Sequence, residues 1–115
     1  MRRVILVDNG SRRVDAFLNL QRLARQLSEK SGQHIDAVPL QHADRIPAAA
    51  IADVLAGKKV STFPVYVEEA LRSGMDELVI VPLFFGHSRA ISSFIPATLA
   101  SVQKDHGAFR CSVAN

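Results

Sequence analysis

Two stretches of the chain are apolar without polar alternation, and each predicts a strand inside a sheet. The first runs from Arg3 to Val7 and is apolar after its arginine, and the second runs from Leu78 to Leu83, broken only by Pro82. A strand without alternation is usually covered on both faces. The second stretch is therefore predicted as a central strand of a parallel sheet.

The region between these stretches begins with a helical pattern. Apolar residues at three- and four-residue spacings predict a helix from about Asp15 to Lys30, which Gly32 ends. A second strand, from about His34 to Leu40, begins and ends polar, as an outer strand does. A short helix is then predicted from Asp44 to Gly57.

The remaining elements follow the same rhythm. A helix is predicted to begin just ahead of Pro64 and to end before Gly74. After the central strand, a helix from about Ser93 to Lys104 leads to a short last strand from Phe109 to Val113. The order β-α-β-α-α-β-α-β contains no hairpin signal, so right-handed crossovers on a parallel sheet are expected.

Length and composition predict one α/β domain over residues 1–115 in a reducing compartment. The hydrophobic fraction of 48% and charged fraction of 22% are ordinary for a globular protein. No apolar run approaches the roughly 20 residues of a membrane helix, and the basic start at Met1 lacks a signal-peptide cleavage site. The single cysteine, Cys111, is interpreted as a packed thiol. A cytoplasmic protein without membrane contact is expected.

Charge favours an anionic partner. The net charge is +3 and the pI is near 9.5. Aromatic residues make up 6% of the chain and lie in apolar runs rather than among the arginines, which argues against nucleic acid. The partner is therefore expected to be a smaller anion.

Polar residues follow three of the predicted strands, at 8–12, 41–44 and 86–89. The carboxyl ends of parallel strands share one edge, where ligands of open α/β sheets bind. In the first turn, Gly10 permits a sharp bend whose backbone N–H groups can hold an anion, although a simple capped turn has the same composition. His42 and His87 can bind a metal ion or accept a proton, or can be ordinary solvent-facing residues. Arg12 and Arg89 can clamp carboxylates or remain solvated.

Two segments carry a resemblance to a known family. Val4 to Arg12 reads VILVDNGSR, and Val79 to Pro96 reads VIVPLFFGHSRAISSFIP. The first resembles the strand and His-Gly-Ser-Arg turn of the small sirohydrochlorin chelatases of the CbiX type. The second is similar to that family's Pro-Leu-Phe strand end, its histidine-containing loop and the Ile-Pro that opens the next helix.

The resemblance implies a chelatase-like fold and a reaction. The fold would be a three-layer α/β/α domain whose four-stranded parallel sheet has the order 2-1-3-4. The reaction would be a lyase reaction of cobalamin or sirohaem biosynthesis, in which cobalt or iron, the metal substrate, enters sirohydrochlorin, an anionic tetrapyrrole, without an organic cofactor. Short members of the family resemble half of a two-lobed chelatase, which implies a homodimer.

The chain departs from the family at the positions that matter most for metal chemistry. Asn9 and Ala90 stand where the two motif histidines are expected, and Gln41 stands in place of an acidic residue. Asparagine is a poor ligand and no base, whereas imidazole holds divalent metals and takes up protons at neutral pH. His87 and His42 lie close enough in sequence to replace the missing histidines from shifted positions.

These comparisons with the family give an expected site. The catalytic residues would be His87 and Asn9, and the metal ligands would be His87 and His42. The residues expected to bind the substrate are Gly10, Ser11, Arg12, Ser88 and Arg89. The alternative is a degenerate paralogue that carries tetrapyrrole or metal, or serves as an assembly subunit. A receiver-like signalling module is disfavoured. Such a module would carry an acidic cluster after its first strand, and here only Asp8 resembles part of one.

Overall fold

Four parallel strands form a sheet at the centre of the molecule. In the computed structural model, which describes residues 1–10, 13–51, 61–83 and 93–114, they are β1 (Arg2–Asp8), β2 (Ile35–Pro39), β3 (Glu77–Pro82) and β4 (Arg110–Val113). Their order is β2-β1-β3-β4, and every pairing is parallel. The predicted sheet and its order are confirmed.

Helices connect the strands as the apolar spacing predicts. They are α1 (Val14–Ser31), α2 (Phe63–Arg72) and α3 (Ile95–His106). Gly32 ends α1 in the left-handed conformation, with φ of 73°, and donates its N–H to the carbonyl oxygen of Ser28. No helix in the described ranges is long and apolar enough to cross a membrane.

The predicted helix from Asp44 to Gly57 is wrong in its described part. Two single 3₁₀ turns, Ala43–Arg45 and Ala48–Ala50, occupy this part of the chain, and residues 52–60 lie outside the described residues. Pro47 is the physical reason. The residue before a proline is pushed out of the helical region, and Ile46 indeed has extended dihedral angles of −70° and 132°.

The sheet is covered on both faces, which gives the expected three layers. On one face, Leu6 of β1 packs with Leu20 and Ala24 of α1. On the other face, α2 and α3 cover a larger cluster that includes Ile5 and Ile80, both fully buried. The apolar runs of β1 and β3 lack alternation because each strand lies between these two layers.

Candidate functional site

The carboxyl ends of the three strands β1, β2 and β3 meet at one edge of the sheet. The N–H of Leu40, just after β2, donates to the carbonyl oxygen of Asp8 at 3.0 Å. The N–H of Leu83, just after β3, donates to the carbonyl oxygen of Val7 at 2.7 Å. The loops that leave these strands therefore start side by side. We call this edge, with residues 8–10, 40–42 and 83, the carboxyl rim.

Gly10 joins the first two loops of the carboxyl rim. Its φ of 87° is in the left-handed region. A Cβ placed on Gly10 would overlap the carbonyl oxygen of Gln41 and lie 2.8 Å from its carbonyl carbon. Only glycine allows the two backbones to approach this closely. The sequence predicts the sharp turn at Gly10, whereas the contact with Gln41 is visible only in the structure.

His42 follows this contact immediately and is held in an uncommon conformation. Its φ is 72°, in the left-handed region, and its side chain is exposed. The segment after it is anchored by an apolar cluster in which Phe17 of α1 packs with Ala43 and Ile46. Non-glycine residues in this backbone region cost energy and are enriched at functional sites. The anchored segment fixes the backbone of His42 at the rim.

Asn9 and Asp8 differ in their burial although they are neighbours. The Asn9 side chain is exposed, whereas Asp8 is half-buried and its Oδ1 accepts the backbone N–H of Gly10 at 2.9 Å. Burial raises the pKa of the Asp8 carboxyl above its ordinary value, and the hydrogen bond from Gly10 opposes this only in part. Sequence reasoning did not include Asp8 in the site. Its place at the end of a buried apolar run was the available signal.

The structure places only part of the expected site. Asn9, Gly10 and His42 come together at the carboxyl rim, from the loops after β1 and β2. The other expected residues lie outside the described residues: Ser11, Arg12, His87, Ser88 and Arg89. Within the described ranges, no group of three His, Cys, Asp or Glu side chains is arranged to hold a metal ion. The assignment of His42 and His87 as metal ligands stays a prediction.

Comparisons with known proteins identify a family from the sequence and a similar fold among solved structures. The family model described as CbiX matches residues 3–115. The crystal structure of a protein described as a cobalamin (vitamin B12) biosynthesis CbiX protein, from Marinobacter aquaeolei VT8, superposes with a TM-score of 0.69 at 20% sequence identity. The match covers 100% of this chain and 81% of that one. No curated protein sequence matches this chain.

Proposed function

The chain belongs to the CbiX family, and from this premise we propose that it is a chelatase that binds sirohydrochlorin and inserts a divalent metal, cobalt or iron. The family and the shared fold support a chelatase-like role in cobalamin biosynthesis. The macrocycle, the metal and the reaction itself are part of the proposal.

One observation carries the proposal, namely that Gly10 is in backbone contact with Gln41. The contact brings the loops after β1 and β2 together, so that Asn9 and His42 belong to the same stretch of the rim. A macrocycle at this edge can meet groups from both loops at once. Ligands of open parallel sheets occupy this position.

The proposed roles follow from the chemistry of insertion. The metal ion needs ligands such as neutral imidazole, and two pyrrole protons must leave the macrocycle. His87 would hold the ion and accept a proton, His42 would be the second ligand, and Asn9 would hydrogen-bond the substrate or a metal-bound water. Arg12 and Arg89 would pair with the peripheral carboxylates. The backbone and hydroxyl groups of the two turns would complete the binding site: Gly10, Ser11 and Ser88.

Visible spectroscopy tests the reaction directly. The purified protein is mixed with sirohydrochlorin and cobalt(II), and the change of the macrocycle spectrum is compared with the spontaneous rate. We expect an acceleration that His87→Ala abolishes. His34→Ala is the matched control. His34 lies just before the amino-terminal end of β2, away from the carboxyl rim, and contacts Asp36. An unaccelerated reaction, or an unchanged rate in His87→Ala, contradicts the assignment.

A second candidate function is a non-catalytic carrier of tetrapyrrole. The observation that favours it is Asn9, which provides neither a strong ligand nor a base at the motif position. Fluorescence titration with sirohydrochlorin separates the two functions. Tight binding without turnover supports the carrier, and the absence of binding contradicts both functions.

We also propose that the protein works as a homodimer, as the likeness of short family members to half of a two-lobed chelatase implies. Mass measurement by light scattering tests this, with and without sirohydrochlorin. A monomeric mass under both conditions contradicts it.

A further inference from the structure

Asp8 is a partly buried carboxylate without a basic partner among the described residues. The other partly buried carboxylates in the described ranges are Asp36, Glu68 and Glu77, and each lies 3.9 Å or less from a basic group. Within the same ranges, the Asp8 carboxylate accepts the backbone N–H of Gly10 on Oδ1. A half-buried carboxylate without a countercharge is costly and contributes little to folding. Such groups are concentrated at functional sites.

The second carboxylate oxygen of Asp8, Oδ2, has no hydrogen-bond partner among the described residues. Asp8 is only partly buried, so a ligand at the rim can approach its side chain. The backbone around it is fixed on both sides. Asp8 pairs with Pro39 in the sheet, and its carbonyl oxygen accepts the N–H of Leu40. The carboxylate is thus held at the carboxyl rim with one acceptor oxygen that no described residue occupies.

Resting on the function proposed above, we propose that Asp8 is a further catalytic residue, which accepts one of the two pyrrole protons during metal insertion. The pyrrole N–H bond breaks, its electron pair stays on the nitrogen and binds the incoming divalent ion, and the proton moves to Oδ2 of Asp8. The other pyrrole proton goes to His87. Both protons then pass to water, which restores the carboxylate and the imidazole.

The position of Asp8 explains how the chain can work with Asn9 beside it. The family's motif histidine would supply a base at position 9, and the asparagine amide cannot take up a proton there. A carboxylate one residue earlier supplies one at the end of the same strand. Partial burial raises the pKa of Asp8, which makes it a better proton acceptor than a fully solvated aspartate.

Asp8→Asn is the sharpest test, because the amide keeps an oxygen that can accept the Gly10 N–H while it removes the basic oxygen. We expect the rate of cobalt insertion to fall on the order of 100-fold. The affinity for sirohydrochlorin should not weaken, since the substrate is an anion and is not attracted by this carboxylate. Glu77→Gln is the matched control, at the amino end of β3, and should leave the rate unchanged.

A second variant distinguishes a role in proton transfer from a purely structural role of Asp8. Asp8→Ala removes the side-chain acceptor as well, and added formate should restore part of its activity by supplying a carboxylate in the vacated space. A wild-type protein that turns over at the same rate as Asp8→Asn overturns this inference and leaves the proposed function standing. A wild-type protein that binds sirohydrochlorin without turnover, or does not bind it, overturns the inference together with the chelatase function.

Discussion

Gly10 and Gln41 lie backbone against backbone, at a distance that leaves no room for a Cβ on Gly10. The two residues are 31 positions apart in the chain (41 minus 10) and belong to loops after neighbouring parallel strands. The contact therefore couples the conformation of the first loop to that of the second. A change at Gly10 must displace the backbone that leads directly into His42.

Replacement of Gly10 by alanine is expected to destabilise the protein and to displace the second loop. The left-handed φ costs about 1 kcal/mol for alanine, and the overlap with Gln41 adds roughly 1–3 kcal/mol. Urea unfolding measures the loss. Gly32→Ala is the control, because its φ of 73° is similar and nothing lies within 4 Å of its Cβ position. Equal losses of free energy of unfolding in the two variants would contradict the added cost assigned to the overlap with Gln41.

His42→Gly is expected to separate metal binding from stability. Glycine adopts the φ of 72° without the strain of about 1–2 kcal/mol, but it adds backbone entropy to the unfolded chain. The free energy of unfolding should therefore change by less than about 1 kcal/mol. Calorimetric titration with cobalt(II) should show weaker binding in this variant and unchanged binding in His34→Ala. Retained affinity in His42→Gly would remove His42 from the proposed ligand set.

Most of the fold could be predicted because burial on both faces leaves a simple signature. The runs that became β1 and β3 contain no alternation, and they are the two interior strands. The polar ends of β2 correctly indicated an edge strand. The described segment 43–51 could not be predicted in the same way, because its apolar spacing resembles a helix, whereas Pro47 keeps Ile46 extended between two 3₁₀ turns. Local sterics overrode the periodicity there.

The site could be predicted less completely, because its geometry depends on contacts distant in sequence. The turn at Gly10 is visible in the sequence, but the partner that makes glycine necessary is Gln41. Likewise, an aspartate at a strand end is commonplace. That Asp8 has no basic partner in the described part of the chain emerges only from the structure, in which Arg3 pairs with Asp36 and Arg110 with Glu77.

Tyr66 is expected to stabilise the sheet near the amino-terminal ends of β1 and β2, away from the carboxyl rim. Its hydroxyl donates to Oδ2 of Asp36 at 2.6 Å, and Arg3 lies over the ring, 5.8 Å from its centroid. Burial and the hydrogen bond to Asp36 raise the pKa of Tyr66, which keeps the phenol protonated as a donor. Tyr66→Phe should lower the free energy of unfolding by about 1–2 kcal/mol in urea.

A double-mutant cycle shows whether this loss belongs to the hydrogen bond. Tyr66→Phe and Asp36→Ala should couple by roughly 1 kcal/mol, since each removes the same contact. His34→Ala is the control, because His34 contacts the same carboxylate from an exposed position and should cost less than about 0.5 kcal/mol. Additive effects of Tyr66→Phe and Asp36→Ala would contradict the assigned contact.

Asp8→Asn is expected to stabilise the protein at neutral pH, although it should slow the proposed reaction. The pKa of Asp8 is higher in the folded state than its ordinary 3.8, so the folded state binds more protons between the two values. Stability must then fall as the pH rises through this window, and the cost is full above the folded-state pKa and absent below the ordinary one. An asparagine carries no such cost. The difference in free energy of unfolding between variant and wild type should therefore grow from about pH 4 upward and then become constant.

Asp44→Asn, at an exposed position after β2, controls for the loss of one negative charge. A difference that is flat with pH, or that shrinks as the pH rises, would mean that the Asp8 carboxylate has a countercharge in solution, and its assignment as an open proton acceptor would fail.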